Sequence, residues 1–372
     1  MSSRQASTSD ALIERIRSVL APAGARELLR LDDDVVVATS IGERPENQDR
    51  AIAARASGVA QPRLIAVVCD GMGGMAEGAR CAATAASVFV GRLLAAHALN
   101  PLTITSAIED ANAVIHRSYV GGGGATLVAY VQDGTGRSYV GHVGDSRAYL
   151  VDSTRKLRLL TRDDTIAALA GDASDATGAT LDSRLVQFVG CGSEIRPHVS
   201  AVPEGAQAVL LTTDGAHGPA NGLLQDLVRH APSLADLAER LTSLSLWTGG
   251  RDNATVLAIN IRALARSSPP AHVVELVTTS RRIEIWAELA MESDRRTAPR
   301  KSGKLPPVGP VAPKAPPEAP GRSKRRDKRP ATRLVVEVGS TGPSAGDTES
   351  RSSTQRELSL ESNDTDDNDS DR

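Results

Sequence analysis

The sequence predicts an α+β fold in which helices pack on the outside of antiparallel sheets, and three observations lead there. Short apolar, β-branched runs recur between Val35 and Ile261, each bounded by Gly, Asp, Asn or Pro. Taken with the helical segments, the order is strand–strand–helix–helix, a run of strands, a helix, then a strand, which is not the strict alternation of a doubly wound parallel sheet. The stretch VQDGTGRSYV at 131–140 sets Asp133-Gly134 between two alternating runs, the pattern of an antiparallel hairpin.

Residues 10–30, DALIERIRSVLAPAGARELLR, show helical spacing. Leu12, Ile16 and Val19 or Leu20 share a face, Asp10 is a candidate cap, and Pro22 and Gly24 end the helix. Strands are predicted at 35–39, 64–70, 125–131, 138–144, 147–152, 208–214 and 254–261. Helices are predicted at 76–98, 103–118 and 220–246, the last from Leu223, Leu227, Leu234, Leu237 and Leu241 on one face. The segment 163–184, rich in Gly, Ala and Asp, reads as a mobile loop. Residues 271–291 read as one helix or a strand–helix pair. Four regions follow: a helical extension at 1–34, the main folded domain at 35–262, a partly ordered extension at 263–297 and a disordered tail at 298–372. The tail is Pro-rich, then basic (RSKRRDKR), then acidic (ESNDTDDNDSDR), and has too little apolar surface to offset its ordering entropy.

Bulk properties narrow the function. The chain has 372 residues, 40% of them apolar, with a net charge of −2 and 2% aromatic residues. Nothing in that balance points to nucleic acid or to an anionic membrane. Cys69, Cys81 and Cys191 form no C-x-x-C pair and read as reduced thiols. No apolar run approaches the ~20 residues of a spanning helix, and the N-terminal MSSRQASTSD lacks a signal-peptide core. A cytoplasmic, monomeric protein is expected.

Three aspartates carry the chemistry. Asp70 ends LIAVVC and precedes Gly71-Met72-Gly73-Gly74, Asp214 ends AVLLTT, and Asp252 precedes the last strand of the main domain. A carboxylate after several apolar residues emerges at a sheet end, where three of them can converge. A lone Asp-Gly is usually only a turn, but clustered carboxylates repel one another unless a cation lies between them. Hard divalent ions such as Mg²⁺ or Mn²⁺ suit oxygen ligands of this kind.

The motifs IGERPENQDR (41–50), VVCDGMGGMAEG (67–78), GGATLVAYV (123–131), GHVGDSRAYLV (141–151), LTRDDT (160–165), LVQFVG (185–190), VLLTTDG (209–215) and GGRDNATVLAI (249–259) together resemble the metal-dependent serine/threonine protein phosphatases of type 2C, bacterial type. The resemblance implies a four-layer αββα sandwich and makes 35–262 the catalytic domain. It implies hydrolysis of phosphoserine and phosphothreonine on proteins by direct attack of a metal-bridging hydroxide, with two Mn²⁺ or Mg²⁺ ions and an optional third. By position, Asp70 bridges the ions, the Gly71 carbonyl adds a ligand, and Asp214 and Asp252 complete the other site. Arg44 stands at the phosphate-binding position, Asp145 at the third metal, and Asp49 and Asn253 behind the ligands, with Asn253 orienting Asp252. The segment 163–184 takes the place of the family's flap. The partners implied are phosphorylated proteins, substrates of a cognate serine/threonine kinase.

The chain departs from the family pattern at Gln48, where an acid is common, at Met72, where eukaryotic members often carry a histidine, and at Asp164, where a histidine is usual. Gln48 and the altered flap keep open a pseudophosphatase or phosphoprotein-binding module, and a small-phosphomonoester hydrolase stands as a second alternative. His217, close behind Asp214, is a candidate proton donor. Cys69 is expected in the core, on the face of its strand away from Asp70.

Overall fold

The computed structural model describes residues 3–20, 26–31, 34–57, 61–72, 77–119, 122–170, 183–192, 195–263, 269 and 273–286. All lie in one unit of the chain, 1–300. The expected tail at 298–372 and most of the loop at 163–184 fall outside the described residues.

The chain opens with helix α1 (Ser3–Val19) and strands β1 (Arg26–Leu31), β2 (Val35–Ser40), β3 (Arg50–Ala56) and β4 (Arg63–Cys69). Helices α2 (Gly78–Ala95) and α3 (Pro101–Tyr119) follow, then strands β5 (Leu127–Asp133), β6 (Ser138–Val143), β7 (Arg147–Asp152) and β8 (Leu157–Leu159). After the short α4 (Ile166–Ala170) come β9 (His198–Ala201) and β10 (Ala206–Thr212). Helices α5 (Asp214–His217), α6 (Leu224–His230) and α7 (Leu234–Trp247) lead to β11 (Ala254–Asn260) and the pair β12 (Val273–Thr278) and β13 (Arg282–Trp286).

Two antiparallel sheets result, one of six strands in the order β1-β2-β11-β10-β7-β8 and one of seven in the order β13-β12-β3-β4-β5-β6-β9. Alternation along each strand feeds two cores. In β2, Val35 and Val37 point between the sheets, where they join Leu64, Ala66 and Val68 of β4. Val36 and Ala38 point outward onto Leu237 and Leu241 of α7. The other face of β4, Ile65, Val67 and Cys69, packs on Phe89 and Val90 of α2. Both sheets are therefore covered on both faces, giving four layers, αββα. Coverage on both sides explains why these strands read as nearly continuous apolar runs rather than as alternating ones.

The hairpin at 131–140 forms as expected. Asp133 Oδ1 accepts from the amides of Thr135 (2.9 Å) and Arg137 (3.0 Å), fixing the turn between β5 and β6. Some elements differ from expectation. Residues 26–31, read as part of a helical segment, form edge strand β1 against β2. The segment left open between a helix and a strand–helix pair forms the hairpin β12–β13, which adds to β3. Region 220–246 splits into α6 and α7 because Pro232 cannot continue a helix, and Ser233 caps α7 by accepting the Asp236 amide at 3.1 Å.

Candidate metal centre

Strand order brings the distant motifs to one end of the sandwich. The ladder pairs Arg50 with Cys69, Thr212 with Arg147, and Ala254 with Ser40, so β2, β3, β4, β7, β10 and β11 all start or finish there. The residues just outside those ends are Asp49, Asp70, Asp145, Asp214 and Asp252.

Asp70 is clamped by Thr126. Its amide donates to Thr126 Oγ1 at 3.0 Å and its carbonyl accepts the Thr126 amide at 2.9 Å. Thr126 Oγ1 also lies 2.7 Å from Ser146 Oγ, which ties the turn holding Asp145 to the same point. Gly71 follows and bridges Ala125. A Cβ there would stand 2.4 Å from the Gly78 carbonyl oxygen and 2.9 Å from that of Gln48, so only glycine fits.

Burial raises the Asp70 carboxyl well above the usual range, and the charges of Asp49, Asp214, Asp145 and Asp252 add to it. Asp214 opens α5 and keeps contact with solvent, yet the protein around its carboxyl, with the charge of Asp252, still raises it. Burial, aided by Asp214, pushes Asp145 up to about 7. Asp49 is wholly buried and is pushed up to about 7, mainly by desolvation. Its Oδ2 accepts from Thr213 Oγ1 at 3.0 Å, whereas its Oδ1 is buried with no hydrogen-bond partner.

This donor set fits divalent cations. An orphaned buried oxygen on Asp49, beside Asp70, Asp145 and Asp214, whose carboxyls are all pushed up by burial and neighbouring acids, marks a site short of positive charge. Among the described residues, no group of three or more Asp, Glu, His or Cys side chains is gathered closely enough to hold a metal ion by itself. Ions held there would draw part of their shell from water, the usual habit of Mg²⁺.

Arg44 supplies positive charge at the rim. Its Nη2 donates to Asp252 Oδ2 at 2.8 Å and its Nε to the Arg251 carbonyl at 3.0 Å. A cleft of about 220 Å³ adjoins it, lined in part by Asp214, Gly215, Arg251 and Asp252.

Two expected roles change. The Asn253 side chain does not touch Asp252: it donates to the Ile41 carbonyl at 2.8 Å and accepts the Gln48 amide at 2.8 Å, fastening the loop between β2 and β3. The Asn253 backbone amide orients Asp252 instead, at 2.8 Å from Oδ1. His217 is no proton donor, because it is buried with Nδ1 3.0 Å from Thr212 Oγ1, and desolvation pushes it down to about 3. Cys69 sits in the helix-side core, where burial raises its thiol. Arg50, Thr126, Ser146 and Thr213, not singled out in the sequence, do much of the fixing. For two of the aspartates a clue was available, a hydroxyl neighbour in the sequence: Ser146 after Asp145 and Thr213 before Asp214.

The chain matches the protein phosphatase 2C family over residues 40–248. It is 32% identical over 147 residues to the serine/threonine protein phosphatase PstP of Mycobacterium tuberculosis, a match covering 38% of this chain and 28% of that protein's length. Among solved structures it is similar to a PPM Ser-Thr phosphatase of Mycobacterium smegmatis in complex with cacodylate, at 26% identity and a TM-score of 0.51, over 63% of this chain and 99% of that one. The M. tuberculosis phosphatase structure gives 25% identity and a TM-score of 0.50, again over 63% and 99%.

Proposed function

The chain belongs to the protein phosphatase 2C family, and on that premise we propose that it hydrolyses phosphoserine and phosphothreonine on proteins with the help of two Mn²⁺ or Mg²⁺ ions. The observation that carries this is the cluster of Asp70, Asp214, Asp252 and Asp49 at one sandwich end, where burial and neighbouring charge raise the carboxyls of Asp49, Asp70 and Asp214 and one buried Asp49 oxygen is left unpartnered.

Asp70, Asp214 and Asp252, with the Gly71 carbonyl, would hold the ions, and Asp145 would hold a third. When bound, the ions supply positive charge to the phosphoryl group and lower the pKa of a coordinated water. Asp49 stands behind the ligands and holds the strand ends through Thr213. Arg44, paired with Asp252, carries a planar fork of donors, a match for phosphoryl oxygens. The M. smegmatis relative was solved with cacodylate, a tetrahedral arsenic oxyanion that resembles phosphate in shape, which supports an oxyanion site. All three cysteines are free thiols, in keeping with a reducing cytoplasm, and the products of a cognate kinase are the natural substrates.

A phosphothreonine peptide assayed with Mn²⁺ tests the reading. Turnover should stop on chelation, and Asp214→Asn or Asp252→Asn should lower it about a hundredfold or more. Normal turnover in both variants, or in chelator, would refute it.

A further inference from the structure

Asp145 lies on the turn between β6 and β7, and that turn is pinned from two sides. On the inner side, Ser146 Oγ meets Thr126 Oγ1 at 2.7 Å, and Thr126 Oγ1 holds the Asp70 amide at 3.0 Å. On the outer side, Gly144 is gripped on both its polar backbone atoms by one residue, Asp164. The Gly144 amide donates to Asp164 Oδ2 at 2.8 Å, and the Asp164 amide donates to the Gly144 carbonyl at 3.0 Å. Gly144 needs that grip, because its φ of +103° is a conformation L residues rarely adopt, and a Cβ there would stand 2.8 Å from Thr126 Cγ2.

The second carboxylate oxygen of Asp164 is held in turn. Its Oδ1 lies 3.0 Å from His198 Nε2, on β9. The His198 ring stacks on His142 at 4.7 Å between centroids, and His142 Nε2 lies 3.0 Å from the Arg162 carbonyl. Asp164 stands where the family usually has a histidine, and here a histidine reaches the same spot from another strand. Neither residue reaches the carboxylate cluster. Asp164 acts on Gly144, the residue before Asp145, and His198 acts on Asp164.

We propose that Asp164 and His198 are positioning residues, whose pairing fixes the Gly144–Asp145 turn so that Asp145 faces Asp70 and completes the third, weaker cation site. This rests on the metal-dependent reading above. The chain's own chemistry makes the grip specific: only a residue with an acceptor oxygen at Asp164 can take the Gly144 amide, and only a ring at His198 both stacks on His142 and donates to the other oxygen.

Calorimetric titration of the full chain with Mn²⁺ tests it, using Asp164→Ala, His198→Gln, Asp164→Asn, Asp145→Asn and the double variant Asp164→Ala/Asp145→Asn. The wild type should show two tighter ions and a weaker one. Asp164→Ala and His198→Gln should each weaken the weak class about tenfold while sparing the other two. Asp164→Asn, which keeps an oxygen for the Gly144 amide, should restore most of the loss. The double variant should bind no worse than Asp145→Asn, since both changes act on one site. The inference fails if the weak class is unchanged in both single variants, if the losses add in the double variant, or if all classes weaken together with a fall in melting temperature. A wild type that takes up no Mn²⁺ would overturn the phosphatase reading and this inference together, whereas normal uptake with unaltered variants overturns the inference alone.

Discussion

Asp49 shows at the residue scale what the centre lacks. Its carboxylate is wholly buried, one oxygen accepts from the Thr213 hydroxyl, and the other has no hydrogen-bond partner. A buried unpaired charge is among the costlier single features a fold carries. Asp49→Asn removes that charge, so the chelated variant should melt several degrees higher than chelated wild type, while the rise in melting temperature on adding Mn²⁺ should shrink. Melting curves with and without chelator check both. The same groups set a pH dependence. Asp49 and Asp145 are raised from 3.8 to about 7 in the folded protein. The unfolded chain therefore gives up these protons first, and folding loses stability as pH rises from about 4 through about 7. The metal-free protein should melt higher at pH 5 than at pH 8, and saturating Mn²⁺ should flatten or reverse that slope. A higher melting point at pH 8 without metal would contradict it. Asp70, Asp214 and Asp252 were legible in the sequence because each follows or precedes an apolar run. The partner of the Asn253 amide and the burial of His217 were not, since both depend on which loops pack over the strand ends.

At the scale of elements, the loop between β2 and β3 carries Arg44, Asn47, Gln48 and Asp49, and buried Arg50 fastens it. Arg50 Nη1 donates to the carbonyls of Asn47 and Asp49, both at 2.7 Å, and its Nε to the carbonyl of Leu20 at 3.1 Å, just beyond α1. The segment expected as a helical extension thus touches the root of the centre. Arg50→Ala leaves three carbonyls without that donor, and should cost about 2 kcal/mol or more in urea unfolding and weaken Mn²⁺ binding. A loss under about 0.5 kcal/mol would mean the arginine is a bystander. Elements with long β-branched runs, such as β2 and β4, announced themselves in the sequence. β3, RAIAARA, did not, because its alanines favour helix and only pairing with β4 and β12 on either side makes it a strand. The hairpin β12–β13 stayed ambiguous for a similar reason: its apolar residues are sorted by the edge of a sheet that strand pairing alone defines.

At the scale of the whole molecule, two sheets buried on both faces leave their strand ends as the place where charge can gather. The motif order along 35–262 implied the four layers, but not that six strand ends would share one edge, because strand order is a long-range property. On the proposed reading, this edge seats two divalent cations between Asp70, Asp214 and Asp252. Anomalous scattering at the manganese edge from crystals grown with Mn²⁺ tests it most directly. Two strong peaks among those carboxylates, with Arg44 drawn off Asp252 Oδ2, is the predicted result. Crystals with no peak there, and with Arg44 still paired to Asp252, would contradict it.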